Sequence, residues 1–178
     1  MDDTTLFETK NLFVRPLKLS DKELFYKLMS DPLVMDPIPQ PVFNQKESDI
    51  KLHELIAAAK GRQKMIWGIF EQGNADLIGI CGFLMNSSQN PELAYRFRPT
   101  FWGKGYGSDI AFALLNYGFT ALKYDLIEAD VHKKNTRSIK ILQKYMKPLK
   151  TDWPKSDPSF DLRYRITKEA FLKFGFCS

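Results

Sequence analysis

The sequence predicts a mixed α/β (α+β) domain with a mostly antiparallel central sheet, flanking helices and one strand–helix–strand crossover. Two apolar runs, Met65–Phe70 and Leu77–Leu84, flank the polar turn EQGNAD and read as a hairpin. ELAYRF, the glycine-rich FWGKGYG and an apolar helical run follow in order, ending on the alternating strand LIEADV. Helix-period segments with capping signals precede and follow these strands, the pattern of helices covering a sheet.

The elements follow in chain order. LFVRPL (Leu12–Leu17) alternates weakly and reads as a first strand. Ser20 to Glu23 fits a capping box, with Ser20 as cap and Glu23 reaching back, ahead of a face of Leu24, Phe25 and Leu28. Asp31–Phe43 holds four prolines and is expected to be an irregular loop. Asn44 to Glu47 is a second capped start, and Leu52, Leu55, Ile56 and Ala59 form the stripe of the helix it opens. The hairpin comes next, then the turn NSSQNP and the strand Glu92–Phe97. A helix to about Leu122 follows the glycines. In Leu126–Val131, Ile127, Ala129 and Val131 alternate against Glu128 and Asp130, a half-buried strand. A helix from Asn135 carries Ile139, Leu142 and Met146 on one face; TDWPKSDPS is a loop, and Phe160–Ile166 is the last strand.

The chain of 178 residues suits a single domain over 1–178. Its 44% hydrophobic content, with 14 Phe, 7 Tyr and 3 Trp, supplies a core and excludes a disordered chain. No apolar run reaches bilayer length, and MDDTTLFETK lacks the basic and apolar regions of a secretory signal, so a cytoplasmic location without membrane partners is expected. A formal charge of +5 attracts anions without identifying one. No basic-plus-aromatic module points to nucleic acid. Cys81 reads as a buried free thiol, Cys177 lies far from it, and neither follows a metal spacing.

Gly103, Gly105 and Gly107 stand between a strand and a helix N-terminus. Glycine allows positive φ and close approach of a ligand to the backbone. The first amides of a helix lack internal partners and lie at its positive end, which suits a phosphate or diphosphate. The pattern is not a Walker loop, because no lysine precedes Ser108, and its last spacing differs from a dinucleotide fingerprint. A tight turn with a close helix contact is the structural alternative.

RPTFWGKGYGSDI resembles the acyl-CoA-binding segment of the GNAT superfamily of N-acetyltransferases, with Trp102, Gly105 and Gly107 in register. Trp102 in place of the usual Arg or Gln is shared by the RimJ/RimL branch, the ribosomal-protein N-terminal acetyltransferases. ETKNLFVRPLKLSDKELFYKLMSDPLVM, PELAYRFRPTFWGKGYG, IEADVHKKNTRSIKILQKY and LRYRITKEAF resemble successive parts of that branch. The resemblance implies a splayed, mostly antiparallel sheet. It also implies direct acetyl transfer from acetyl-CoA to an amine acceptor, a protein N-terminus or a small molecule. The pantetheine arm would lie along Tyr95, Arg96 and Phe97, and the diphosphate on Trp102, Gly103, Lys104, Gly105, Tyr106, Gly107 and Ser108. Asn135 and Ser138 would sit near the pantetheine and the sulfur, beyond capping a helix. Glu92 is the implied base and Ser138 the acid. A tyrosine used as acid by many GNAT enzymes is Leu142 here, Tyr145 is out of register, and Met146-Lys147 replace a usual Gly-Phe. A non-catalytic acyl-CoA sensor and a nucleotide-binding oxidoreductase fragment are the competing readings. Monomer and homodimer both remain open.

Overall fold

The computed structural model describes residues 5–36, 41–60, 65–85, 90–149 and 162–175. Its strands are β1 (Phe7–Glu8), β2 (Leu12–Pro16), β3 (Met65–Glu71), β4 (Leu77–Leu84), β5 (Glu92–Phe97), β6 (Leu126–Val131), β7 (Lys147–Pro148) and β8 (Leu162–Thr167). Its helices are α1 (Lys22–Met29), α2 (Pro32–Met35), α3 (Gln45–Lys60), α4 (Tyr106–Thr120), α5 (Thr136–Tyr145) and α6 (Lys168–Gly175). The strands form one eight-stranded sheet in the order β1-β2-β3-β4-β5-β6-β8-β7. Every pairing is antiparallel except β5 with β6, which are joined by α4.

Two cores explain why β3 and β4 read as continuous apolar runs: both of their faces are covered. Phe25 and Leu28 of α1, Val34 and Met35 of α2, and Leu52 and Leu55 of α3 pack together with Ile66 and Ile80. Ile110, Leu114 and Phe119 of α4, Leu142 of α5 and Phe171 of α6 pack with Trp67, Phe83 and Ile127. Cys81 lies in this second core, buried and free, and burial pushes its thiol pKa up.

Several local expectations hold. Asn44 and Glu47 cap α3 reciprocally, at 3.0 and 2.8 Å. Asn135 accepts the Ser138 N–H at 3.1 Å and caps α5. The hairpin and the strands Glu92–Phe97 and Leu126–Val131 lie where the pattern puts them.

Others are corrected. The acid that organises the entry to α1 is Asp21, not Glu23: its carboxylate accepts the Lys18 N–H at 2.8 Å and chelates the Arg15 guanidinium at 2.8 and 3.0 Å. Arg15 also lies 3.9 Å over the Phe70 ring. Asp31–Phe43 is not irregular throughout, because Asp31 accepts the Leu33 N–H at 2.9 Å and Pro32 starts α2. Glu128 is not on a solvated face; it is 1% exposed. Met146 is extended beyond α5, yet buried. Strands β1 and β7 are too short to carry a period, and α6 follows β8 without a breaker, so none was expected. The turn over 86–89, the loop over 150–161 and Cys177 lie outside the described residues.

Asp21→Ala is expected to remove about 2–3 kcal/mol of stability, because it strips the enclosed Arg15 of its counter-ion and one backbone amide of its acceptor. Denaturant unfolding of the two proteins measures it.

Candidate active site

The glycine loop is reached through a single turn of tight helix at Pro99–Phe101. Gly103 and Gly105 adopt φ of +78° and +85°, the left-handed region that glycine enters without strain. Gly107 is helical and small for a different reason: a Cβ there would meet Ile141 Cδ1 at 2.8 Å. Gly105 is the N-cap of α4. Its carbonyl accepts the N–H groups of Ser108 and Asp109 at 3.0 and 3.2 Å. The amides of Gly103, Lys104, Gly105, Tyr106 and Gly107 have no backbone acceptor among the described residues. They form a row of main-chain donors at the positive end of α4, much of it exposed, and can hold a diphosphate.

Contrary to the expectation from sequence, the Ser108 amide is therefore not a free donor; what it offers is a hydroxyl. That oxygen lies 3.0 Å from the Tyr145 hydroxyl and accepts from Lys144 Nζ at 3.2 Å. Lys104 is not a free rim cation either. Its ammonium lies 3.4 Å from Glu71, which also accepts the Tyr106 hydroxyl at 2.6 Å. That hydrogen bond, with a smaller contribution from Lys104, holds the Glu71 pKa below its ordinary value. Trp102 does not turn its indole N–H to a ligand: it donates to the Phe97 carbonyl at 2.9 Å, and the Arg137 guanidinium covers its ring at 4.5 Å. The cations next to the loop that sequence reasoning missed are Arg137 and Lys144. Both come from α5, and no local pattern announces which helix face turns to the loop.

Strand β5 enters the loop with one edge open. It is paired with β4 along its whole length, but its contact with β6 is the single pair Glu92↔Glu128. The Arg98 N–H bonds to Ile78 O, and the Glu128 N–H to Pro91 O. Antiparallel alternation then turns the main-chain groups of Leu93, Tyr95 and Phe97 away from β4, into the gap between the splayed strands. The Phe97 carbonyl is taken by Trp102. Arg96, expected on this edge, presents its main chain to β4 instead and its side chain to Met29 and Met35. An extended amide-bearing arm can pair with this edge as an added strand.

Tyr95 turns toward α4 and α5, where its ring approaches the place a Gly107 Cβ would occupy. Its hydroxyl is buried and makes no hydrogen bond of ordinary geometry among the described residues. Burial pushes its pKa up to about 12, against a smaller downward pull from the neighbouring Ser138 hydroxyl. Ser138, Tyr95, Ser108 and Tyr145 thus bring hydroxyls to the joint between β5, α4 and α5. Tyr145 belongs to this group although its spacing from Asn135 gave no hint of it.

Glu92 opens β5 and is buried, 9% exposed, not at a solvated strand end. It sits in the field of Arg163, whose pKa is raised first by its hydrogen bond to Asp130 and then by the charges of Asp130, Glu128 and Glu92. Arg163 Nε donates to Asp130 at 2.5 Å, and Nη1 to Glu128 at 3.4 Å; Arg165 Nε donates to Glu128 at 2.9 Å. Glu92 is therefore one carboxylate of a buried ionic cluster shared by β5, β6 and β8. Among the described residues no cluster of His, Cys, Asp or Glu can hold a metal ion, and no helix is long and apolar enough to cross a membrane.

Comparison with known proteins agrees with this geometry. A family model described as an acetyltransferase (GNAT) domain matches residues 11–145. The chain is 32% identical over 140 residues to an uncharacterized N-acetyltransferase, p20, of Bacillus licheniformis, covering 75% of this chain and 77% of that protein. A GNAT-family acetyltransferase from Bacillus anthracis superposes with a TM-score of 0.79 at 26% identity, over 91% of this chain and 98% of its own. RimL, a ribosomal L7/L12 α-N-protein acetyltransferase solved in complex with coenzyme A, superposes at 0.77 with 15% identity, over 94% and 99% of the chains. At that identity the likeness is one of fold.

Proposed function

The chain belongs to the GNAT acetyltransferase family, whose members use acetyl-CoA, and from that premise we propose that it transfers the acetyl group directly to a primary amine. The acceptor is an α-amine of a protein N-terminus, as in the RimJ/RimL branch, or the amine of a small molecule. The observation that carries the reading is the row of amides from Gly103 to Gly107 with no backbone acceptor among the described residues, placed at the end of a strand with one open edge.

In this reading the amides of the loop hold the diphosphate, with Arg137 and Lys144 beside them. The Leu93 carbonyl, the main-chain groups of Tyr95 and the N–H of Phe97 hold the pantetheine arm. Bound acetyl-CoA supplies an activated thioester. An amine attacks only as the free base, and its pKa is about 8 for an α-amine and about 10.4 for a lysine. Glu92 accepts the proton that the nitrogen loses as the N–C bond forms. The C–S bond breaks, and Ser138, beside Tyr95, donates a hydrogen bond to the departing sulfur. A thiol pKa near 8.5 lies far below that of an aliphatic hydroxyl, so the donor stabilises the thiolate and solvent completes its protonation.

A calorimetric titration with coenzyme A and thiol release from acetyl-CoA with a panel of primary amines test the proposal. Micromolar binding and amine-dependent release are expected; binding without release from any amine counts against transfer. Glu92→Gln is expected to slow turnover roughly a hundredfold at pH 7. Above the acceptor's own pKa the amine is already free, so the loss should shrink toward high pH. A constant loss from pH 6.5 to 10 would mean Glu92 only holds the ionic cluster together.

A further inference from the structure

Arg96 differs from the other enclosed arginines of the protein. Arg15 and Arg163 are each chelated by an aspartate, Asp21 and Asp130 respectively. Arg96 has no carboxylate or carbonyl partner among the described residues. Its Nη1 lies 3.4 Å from Met35 Sδ and 3.7 Å from Met29 Sδ. Thioether sulfur is a weak acceptor, and a guanidinium carries five N–H donors, so most of its hydrogen-bonding capacity is unused.

Arg96 is also enclosed. Loss of water pushes its pKa down to about 10, yet the side chain keeps part of its surface open. It is therefore partly open to solvent and remains charged at neutral pH. An enclosed cation without a counter-ion is costly, and an anion that reaches it from the solvent side offsets that cost. A planar guanidinium receives a carboxylate or phosphate in a fork of two hydrogen bonds.

Arg96 is on the acceptor side of the proposed reaction. Leu93 and Phe97 of β5 face the core under α4 and α5. Glu92, Ala94 and Arg96 alternate to the other face, where Arg96 meets α1 and α2. Glu92 and Arg96 thus share one face of one strand, four residues or about 13 Å apart along it. A molecule whose amine reaches Glu92 can extend along this face toward Arg96.

We propose that Arg96, seated against Met29 and Met35, anchors an anionic group of the acceptor, so that the preferred substrate carries a carboxylate or phosphate several bonds from its amine. The proposal rests on the amine-transfer reading above, and two measurements keep the two separate.

The first is thiol release with matched pairs: ω-amino carboxylates and ω-aminoalkyl phosphates of increasing length, against the corresponding amides and alcohols. The anionic members should have kcat/KM at least tenfold higher, mainly through KM. Carboxylate and phosphate series of equal length decide which anion Arg96 prefers. The second is a calorimetric titration of the coenzyme A-saturated protein with the same compounds, which needs no turnover. In Arg96→Gln the anionic preference should fall to about unity in both measurements, and Arg96→Lys should retain part of it. Equal binding of anionic and neutral members to the wild type overturns the subsite. So does an Arg96→Gln variant, folded by its melting transition, that loses affinity for both classes alike, the mark of a packing role. Arg96-dependent binding of the anions with no thiol release from any amine leaves the subsite standing and overturns the amine-transfer reading.

Discussion

Gly105→Asp is expected to weaken coenzyme A binding by about a hundredfold or more. Gly105 sits at φ +85° as the N-cap of α4, with nothing within 4 Å of the place its Cβ would take. The substitution is thus not a matter of crowding by the protein. It adds about 1–2 kcal/mol of left-handed strain, reduced for aspartate by its local hydrogen bonding. It also sets a carboxylate among the amides that hold the diphosphate. Two unit charges about 5 Å apart repel by about 3 kcal/mol at an effective dielectric constant near 20, and about half of that survives screening at an exposed loop. The diphosphate carries more than one charge, so the repulsion recurs. Gly105→Asn is the control, because asparagine tolerates the same backbone without charge; it should lose less than about tenfold in affinity. Calorimetric titration of the three proteins decides. An equal loss in both variants would place the effect in backbone strain. Full affinity in Gly105→Asp would mean that the diphosphate does not rest on these amides.

Arg163→Leu is expected to cost about 3–5 kcal/mol of stability. The guanidinium serves Asp130 and Glu128 at once, and the Glu128 side chain is 2% exposed, with Arg165 as its other partner. Removing Arg163 leaves Asp130 without a cationic partner among the described residues at the strand pair β6–β8, where the two residues face each other in register. Replacing Asp130 by leucine as well should recover much of the loss, since two apolar residues of similar volume can replace a buried pair. Denaturant unfolding of the single and double variants measures both. Because the folded Arg163 pKa is raised above its unfolded value, its contribution is fully present below the unfolded pKa and is lost only as pH rises through the folded pKa. The deficit of the variant should therefore not depend on whether the arginine titrates between pH 6 and 9. Turnover should fall too, because Glu92 lies in the field of the same cation.

The parts of the fold that were readable are those whose cause is local. The hairpin follows from two apolar runs around a polar turn, the start of α3 from Asn44 and Glu47 three residues apart, and the start of α5 from Asn135. The loop from Gly103 was readable because positive φ is a property of the residue itself. The entry to α1 misled for the same reason: Ser20 and Glu23 have the spacing of a cap, but Arg15 on a neighbouring strand draws Asp21 into that role.

By itself the sequence determined which segments become strands and helices, where the chain must bend at glycine, and that a helix would begin with free amides. These depend on backbone geometry and on contacts a few residues apart. The tertiary structure alone decided which charges are enclosed and with what partners. Only in the folded sheet do β5 and β6 part after Glu92, bury Glu92 beside Arg163, bring Tyr145 to Ser108 and leave Arg96 facing two methionines. Each of these depends on which distant faces meet, and a one-dimensional pattern of residue types carries no information about the counter-charge that will lie across a strand pair.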